Sequence, residues 1–306
     1  MFKDVKCLES SEENVWKYIF DFGDAIAEAV LYRYGTFEER TVICCSVQSG
    51  CPVGCEFCGT GKHFVRNLIV DEIVGQIEYI LKDKNIQSID KTCNKFQIMF
   101  MSMGEPMLNW YNVKYSILQM YHGLRWENAQ YLISTIGVNN DEVFGGLIEL
   151  SKAVPNVGLQ FSIHRGYERM RNILIPFKNK MSLRKIRDAG ITWSENTGRK
   201  VFLNYCVTDE NSSLDELERL KDLFSPTKFN FTFSTVCTAD ENMKEVGIRD
   251  LSKIQRVAEY FNTDGYNTRV FNPAGQDDIG GGCGQLWYVQ EWLHKYKNSF
   301  SLDFPH

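Results

Sequence analysis

Apolar, β-branched runs recur along the chain at residues 41–46, 96–102, 131–135, 157–163, 200–207 and 229–234, and a weaker seventh lies at 268–272. Their length and branching predict strands. Between most of them the apolar positions fall near a 3.6-residue period, which predicts helices at 71–82, 113–121, 141–153, 183–189, 214–224 and 248–261. Strand alternating with helix implies parallel pairing through right-handed crossovers. Six such units predict an α/β chain folded as an open, partial (β/α)6 barrel.

Ahead of the barrel, apolar runs at 16–20 and 26–34 flank Asp21-Phe-Gly-Asp24, which reads as a turn joining two strands. No internal repeat, low-complexity tract or linker divides the chain. The expected organisation is a β extension over residues 1–40 and a barrel over 41–306 that ends in a loop and a helix segment.

Chemistry in such barrels gathers at the carboxyl ends of the strands. Cys51-Pro-Val-Gly-Cys55-Glu-Phe-Cys58 follows the first strand and Met103-Gly-Glu-Pro106 the second, while Ser134-Thr-Ile-Gly137 ends the third and Ser162-Ile-His164 the fourth. Four signals therefore share one rim. Three thiolates hold three irons of a cubane cluster and leave the fourth iron for a ligand that is not protein. That open corner is what a radical S-adenosylmethionine (SAM) enzyme needs. A structural zinc site closes with four ligands, commonly as two pairs, and no second pair follows at a suitable distance. His63 keeps zinc open as an alternative.

At 306 residues, with 43% apolar and 24% charged residues, the composition is that of an ordinary globular protein. No secretory leader opens the chain and no apolar run approaches the ~20 residues of a membrane span, so a cytoplasmic location is expected. Ten cysteines in such a chain point to metal or redox chemistry rather than a disulfide scaffold. Cys7, Cys93, Cys206 and Cys237 sit in apolar or strand-like surroundings and read as packing residues. Cys44, Cys45 and Cys283 are harder to set aside. The net charge of −5 argues against a bulk electrostatic grip on long nucleic acid. Lys62, His63 and Arg66 form a candidate local basic patch, with a solvated charged turn as the alternative.

The run from Cys44 to Lys62, the Arg66-Asn-Leu68 that follows, Met103-Gly-Glu-Pro-Met-Leu-Asn109, Ser162-Ile-His164 and Cys283-Gly-Gln-Leu286 resemble the RlmN/Cfr family of radical SAM RNA adenine methyltransferases. Order and approximate spacing match from about Glu28 to Leu286. The resemblance implies a 4Fe–4S cluster on Cys51, Cys55 and Cys58, with SAM as the second cofactor. It also implies a detour through the protein, because carbon 2 or carbon 8 of adenine is not nucleophilic. One SAM methylates Cys283. A second SAM is cleaved to a 5′-deoxyadenosyl radical, which takes a hydrogen from the methylated cysteine, and the resulting carbon radical adds to the adenine.

Release of the covalent adduct needs a base and a second thiol. Cys44, seven residues before Cys51, takes the resolving role by attacking the Cys283 sulfur. Strand alternation turns its neighbour Cys45 to the other face. Glu28 aligns with the family's catalytic glutamate if a short insertion near residues 34–36 is allowed, and a surface strand glutamate is the plain alternative. Gly104 and Glu105 suit the ammonium of SAM. Ser134, Ser162, Ile163 and His164 fall where its carboxylate and ribose are held.

Two departures bear on the substrate and the cofactor. The family carries a Trp-Asn-Pro element at the end of the sixth strand, where this chain has Ser234-Thr-Val236, leaving Thr235 as the substitute SAM contact. The residues before Cys44 are too few for both the β extension and the helical domain usual at the family's amino end. The expected substrate is RNA, ribosomal or transfer, with a small nucleotide, metabolite or peptide as the alternative. A non-catalytic iron or zinc module remains a third reading. The glycines around Cys283 predict a loop that swings between SAM and substrate. A phosphate cradle there lacks the following Lys-Ser/Thr. The resemblance further implies a flavodoxin-type or other low-potential electron donor, and the chain is expected to act as a monomer.

Overall fold

The computed structural model describes residues 2–235, 251–275 and 279–282, the side chain of Lys62 excepted. An antiparallel extension, β1 (Asp4–Glu9), β2 (Val15–Asp21) and β3 (Ile26–Arg33), leads into β4 (Thr41–Cys44). A small hairpin, β5 (Gln48–Gly50) and β6 (Phe64–Asn67), stands apart from the main sheet. The barrel continues with β7 (Phe96–Phe100), β8 (Gln130–Thr135), β9 (Val157–Ser162), β10 (Val201–Cys206), β11 (Phe229–Ser234) and β12 (Thr268–Phe271). These strands follow β4 in one ten-stranded sheet of order β1-β2-β3-β4-β7-β8-β9-β10-β11-β12, and from β4 onward every pairing is parallel. The six predicted strands and the weaker seventh are all present.

The helices are α1 (Val70–Asp83), α2 (Ile89–Thr92), α3 (Trp110–Leu118), α4 (Asp141–Ala153), α5 (Glu168–Leu174), α6 (Leu183–Thr197), α7 (Leu214–Leu223) and α8 (Leu251–Asn262). Local chemistry sets their ends. Asn140 Oδ1 accepts from Val143 N at 3.1 Å to cap α4, and Asp141 and Glu142 complement the helix dipole in its first turn. Ser182 caps α6 through Lys185 N. Helix α6 runs eight residues beyond the predicted 183–189, through Gly190. There the missing Cβ admits Phe229, whose ring carbon would lie 2.5 Å from it, so the glycine serves close helix–sheet packing rather than a break.

Alternation along the strands separates two environments. On β8, Tyr131, Ile133 and Thr135 are buried, the first two in the main core, whereas Gln130, Leu132 and Ser134 are half-buried and line the lumen. The main apolar core lies between the sheet and the helices, and includes Ile98, Phe161, Leu203, Phe231, Leu147 and Trp193. A second, smaller core lies on the lumen side of β2–β4, where Val15, Ile19, Val30, Tyr32 and Met103 pack with Ile279. Among the described residues, no helix is long and apolar enough to cross a membrane.

Candidate functional site

The three-thiol loop is clamped at its base by the β5–β6 hairpin. Cys51 N donates to His63 O at 2.8 Å, and Gly50 stands at φ +75° where a Cβ would meet that same carbonyl oxygen at 2.0 Å. Glu56 N donates to Leu174 O at 3.0 Å, tying the loop to α5, and the Phe57 ring meets His164 edge-on with centroids 5.0 Å apart. Cys51, Cys55 and Cys58 all line one cavity of about 1050 Å³. Burial pushes the Cys51 thiol up to about 12 and the Cys55 thiol well above its ordinary range, and repulsion between neighbouring thiolates adds to both. Such thiolates need compensating positive charge, which iron supplies.

Among the described residues, no three Cys, His, Asp or Glu side chains converge tightly enough to hold one ion. Three thiols spaced along one loop and facing one cavity suit a cluster, which offers each a separate iron.

The second strand's loop turns back onto this cavity. Gly104 has φ +102°, and a Cβ there would approach Gln48 Cβ to 2.7 Å and Gln48 N to 2.9 Å. Glu105 N donates to Gln48 Oε1 at 2.8 Å. The Glu105 carboxylate accepts from Met107 N and Ile136 N, at 3.0 and 2.9 Å, and burial still pushes its pKa up to about 7. Ser134 and Ser162 approach each other, Oγ to Oγ, at 3.3 Å, and Gln160 Nε2 donates to Ser134 Oγ at 3.1 Å. His164 holds a left-handed backbone at φ +56°. Its Nδ1 accepts from Cys206 N at 3.1 Å, which places the ring proton on Nε2. Burial, then the charge of Arg171, pushes its pKa down to about 3, so the ring is a neutral donor.

Two expected SAM contacts are not brought to the cavity. Ile163 is fully buried in the main core, because the strand period turns it away from Ser162. Thr235 is buried and does not line the cavity, while Ser234 does, donating to Asn204 Oδ1 at 3.2 Å. Asn204, register partner of Ser162, also lines it and was missed, although a polar residue two positions from Phe202 on an apolar strand carries the signal.

Cys44 lines the cavity and Cys45 is buried in the main core. Cys44 continues a cross-strand row through Val30 to Lys17. Glu28, two residues along β3 from Val30, is fully buried with its Oε2 2.7 Å from Lys17 Nζ, and does not line the cavity. It is therefore not the surface glutamate of the plain alternative. Lys17 also donates to Gly280 O at 3.2 Å and Tyr32 OH to Gly281 O at 2.6 Å, which fixes the segment that leads toward Cys283. Cys283 itself lies outside the described residues, as does Cys237. The expected basic patch is not a free one: Arg66 pairs with Asp24 and Glu72 at 2.8 and 2.7 Å. Nor is Cys7 a packing residue, since it is exposed on the edge strand β1.

No family model matches the chain. It is 30% identical over 288 residues to the probable dual-specificity RNA methyltransferase RlmN of Finegoldia magna, covering 92% of this chain and 77% of that one. The protein of the same description from Heliobacterium modesticaldum is 29% identical over 280 residues, 88% of this chain and 69% of that one. Among solved structures, a radical SAM methyltransferase from Sphaerobacter thermophilus matches with TM-score 0.77 at 25% identity, over 92% of this chain and 79% of that one. SuiB of Streptococcus suis, bound to S-adenosylmethionine, shares the fold at TM-score 0.55 and 14% identity, over 78% of this chain and 51% of that one. With likeness of this extent around a three-thiol cavity, the chain belongs to the RlmN/Cfr family and is a radical SAM methyltransferase that works with a 4Fe–4S cluster and SAM.

Proposed function

We propose that the chain methylates carbon 2 or carbon 8 of an adenine in RNA by way of a methylated cysteine. The observation that carries this reading is the placement of Cys44, which faces the same cavity as Cys51, Cys55 and Cys58 while Cys45 packs in the core. Gly281 and Gly282, which run directly into Cys283, line that cavity as well. Its volume of about 1050 Å³, which extends from the thiol loop down the lumen, exceeds that of an ordinary small-molecule site, as a cavity taking both a cofactor and part of a larger substrate would. The relatives' description as RNA methyltransferases supports RNA as the source of that base.

In this reading Cys51, Cys55 and Cys58 hold the cluster, which when bound supplies the electron that cleaves SAM. Gly104 and Glu105 hold the cofactor's ammonium, and Ser134, Ser162 and neutral His164 its carboxylate and ribose. Ser234 and Asn204 take the part first expected of Thr235. Residues 41–306 provide this barrel, and residues 1–40 provide Glu28 and its lysine. Cys283 receives the methyl group, whose carbon gives up one hydrogen atom to the 5′-deoxyadenosyl radical and bonds to the adenine, and the adduct gives up its odd electron to the cluster that would be held by Cys51, Cys55 and Cys58. Glu28 sits two residues along β3 from the cavity-lining Val30, and its carboxylate, paired with Lys17 just outside the cavity, is the proposed acceptor of the proton from the substituted ring carbon once that pair opens. Cys44, once it has given up its proton, then attacks the Cys283 sulfur and forms a disulfide with it, while the sulfur–carbon bond breaks, its electron pair passes to the transferred carbon, and that carbon takes up a proton to become the methyl group. Burial pushes the Cys44 thiol up to about 12, so it waits protonated until a base relieves it.

The test is to incubate RNA with reconstituted enzyme, SAM and a low-potential donor such as flavodoxin, digest it to nucleosides and measure methyladenosine by mass spectrometry. Product is expected from the native chain and none from Cys283→Ala. Methylation by Cys283→Ala at the native rate defeats the cysteine route.

A further inference from the structure

The cavity does not end at the cluster loop. It runs down the lumen and reaches the surface at the amino ends of the strands, where Tyr34, Arg40, Gln97, Phe202 and Arg269 line it. Arg40 directly precedes β4, Lys95 directly precedes β7, and Arg269 lies on β12. Strands β4 and β12 bound the parallel set and do not pair with each other, so Arg40 and Arg269 stand on the two edges of the unclosed side of the barrel. They are near enough that Arg40 depresses the proton affinity of both Lys95 and Arg269, each already lowered by burial.

The two arginines are backed by aromatic rings. The Arg40 guanidinium carbon lies 4.3 Å over Tyr34 and that of Arg269 lies 4.1 Å over Phe202, while Arg40 Nε donates to Gln97 Oε1 at 3.1 Å. Among the described residues, none of Arg40, Lys95 and Arg269 forms an ion pair, and the one acid lining the cavity is Glu105, at its far end. The neighbouring cations Arg199 and Lys200 differ, because they are spent on backbone carbonyls, Lys200 on Pro226 O at 2.7 Å and Arg199 on Pro155 O and Val157 O. A protein of net charge −5 that sets two arginines at the mouth of its reaction cavity, with Lys95 beside them, has built a local anion site against its overall field.

We infer that this mouth holds phosphates of the substrate RNA strand, with Arg40 and Arg269 as the contacts and the rings of Tyr34 and Phe202 beside the flanking nucleotides. The inference rests on the RNA reading above and adds the route by which the strand enters. Arg40 stands four residues from Cys44, about 13 Å at the rise of a strand, so one short single strand spans both. Arginine faces and aromatic rings along a cationic groove are what single strands use without sequence readout. A free nucleotide's phosphate has the same chemistry, and the experiment separates the two sources.

The full chain with its cluster reconstituted is titrated with a labelled, adenine-centred single-stranded RNA 12-mer by fluorescence anisotropy across a salt series, with AMP as competitor. In the Arg40→Gln/Arg269→Gln double variant, affinity is expected to fall about tenfold or more at ~0.1 M salt. Its log–log salt slope is expected to become shallower by about 1.4, or ~0.7 for each phosphate released. Arg40→Lys/Arg269→Lys is expected to keep the slope, and iron content and SAM binding are expected to match the native chain in both, which separates lost contacts from misfolding. Unchanged affinity and slope in the glutamine variant, with RNA still bound, overturns the inference and leaves the RNA reading standing. AMP that displaces the 12-mer at equal concentration assigns the site to a free nucleotide and overturns it too. A native chain that binds no RNA overturns both readings together.

Discussion

Lys17 Nζ lies 2.7 Å from Glu28 Oε2, and both side chains are wholly shielded from water. Taking two charges out of water is costly, and removing one partner strands the other, at roughly 3–5 kcal/mol. Lys17→Met and Glu28→Gln are each expected to lower the unfolding free energy by about that amount in urea titrations, and the double variant to recover most of it. Activity separates two roles for Glu28. A purely structural carboxylate predicts that the double variant resolves its adduct again. A proton acceptor predicts a folded double variant that stays inactive, which is the expected outcome.

The adjacent cysteines on and after β4 are expected to behave unlike each other. Cys44→Ala should accumulate a covalent enzyme–RNA adduct, seen as a retarded band on a denaturing gel after nuclease trimming, because the resolving thiol is gone. Cys45→Ala removes a sulfur from the main core and should cost about 1 kcal/mol of stability without trapping adduct. Adduct trapped equally by both variants would contradict the opposed faces.

Gly104→Ala is expected to abolish SAM binding, followed by calorimetry, while the iron content stays within a factor of about two. The residue sits at φ +102°, and its Cβ would come within 2.7 Å of Gln48 Cβ and 2.9 Å of Gln48 N. The backbone strain alone amounts to roughly 1–3 kcal/mol. Shortening Gln48 to alanine cannot rescue it, because Cβ and the main-chain nitrogen remain. Native SAM affinity in Gly104→Ala would show that this turn does not shape the cofactor site.

The barrel was legible because the outer faces of β7 to β11 are apolar at almost every second position, whereas β12, with no fully buried residue, gave the weaker signal. The hairpin that clamps the thiol loop was not. Gln48-Ser-Gly50 has no apolar residue, and its pairing with β6 comes from the chain reversal that the loop itself creates. The same period that located the strands could have ranked Ser234 over Thr235, since Ser234 pairs with Cys206 and stays in phase with Asn204. No pattern in either strand reveals Lys17 and Glu28 as partners. Their meeting depends on the register of β2 against β3, in which Ile19 pairs with Glu28 and Lys17 with Val30. The arginines at the amino-end mouth were hidden for a similar reason, since Arg40 and Arg269 lie far apart in sequence and are brought to one mouth only by strand order.

Glu105 ties the site to pH. Burial raises its pKa from the usual carboxylate range to about 7, even though two backbone amides donate to it. A group whose folded pKa is raised contributes stability that is fully present below about 4.5 and is lost as pH climbs through about 7. The SAM-free protein should therefore lose roughly 2–4 kcal/mol across that window through this residue, and Glu105→Gln should flatten the loss in denaturation curves taken at successive pH values. The SAM ammonium reverses the balance, because it favours the ionised carboxylate. SAM affinity is expected to rise about fivefold between about pH 6 and pH 7, below the range where the SAM amine loses its own proton, with close to one proton released per SAM bound at the lower end, and Glu105→Gln is expected to lose that rise. Calorimetry in two buffers of different ionisation enthalpy reads that proton directly. A native chain with no proton release and no pH slope would mean that the ammonium is held by backbone carbonyls alone, with Glu105 serving only to pin Met107 N and Ile136 N in place.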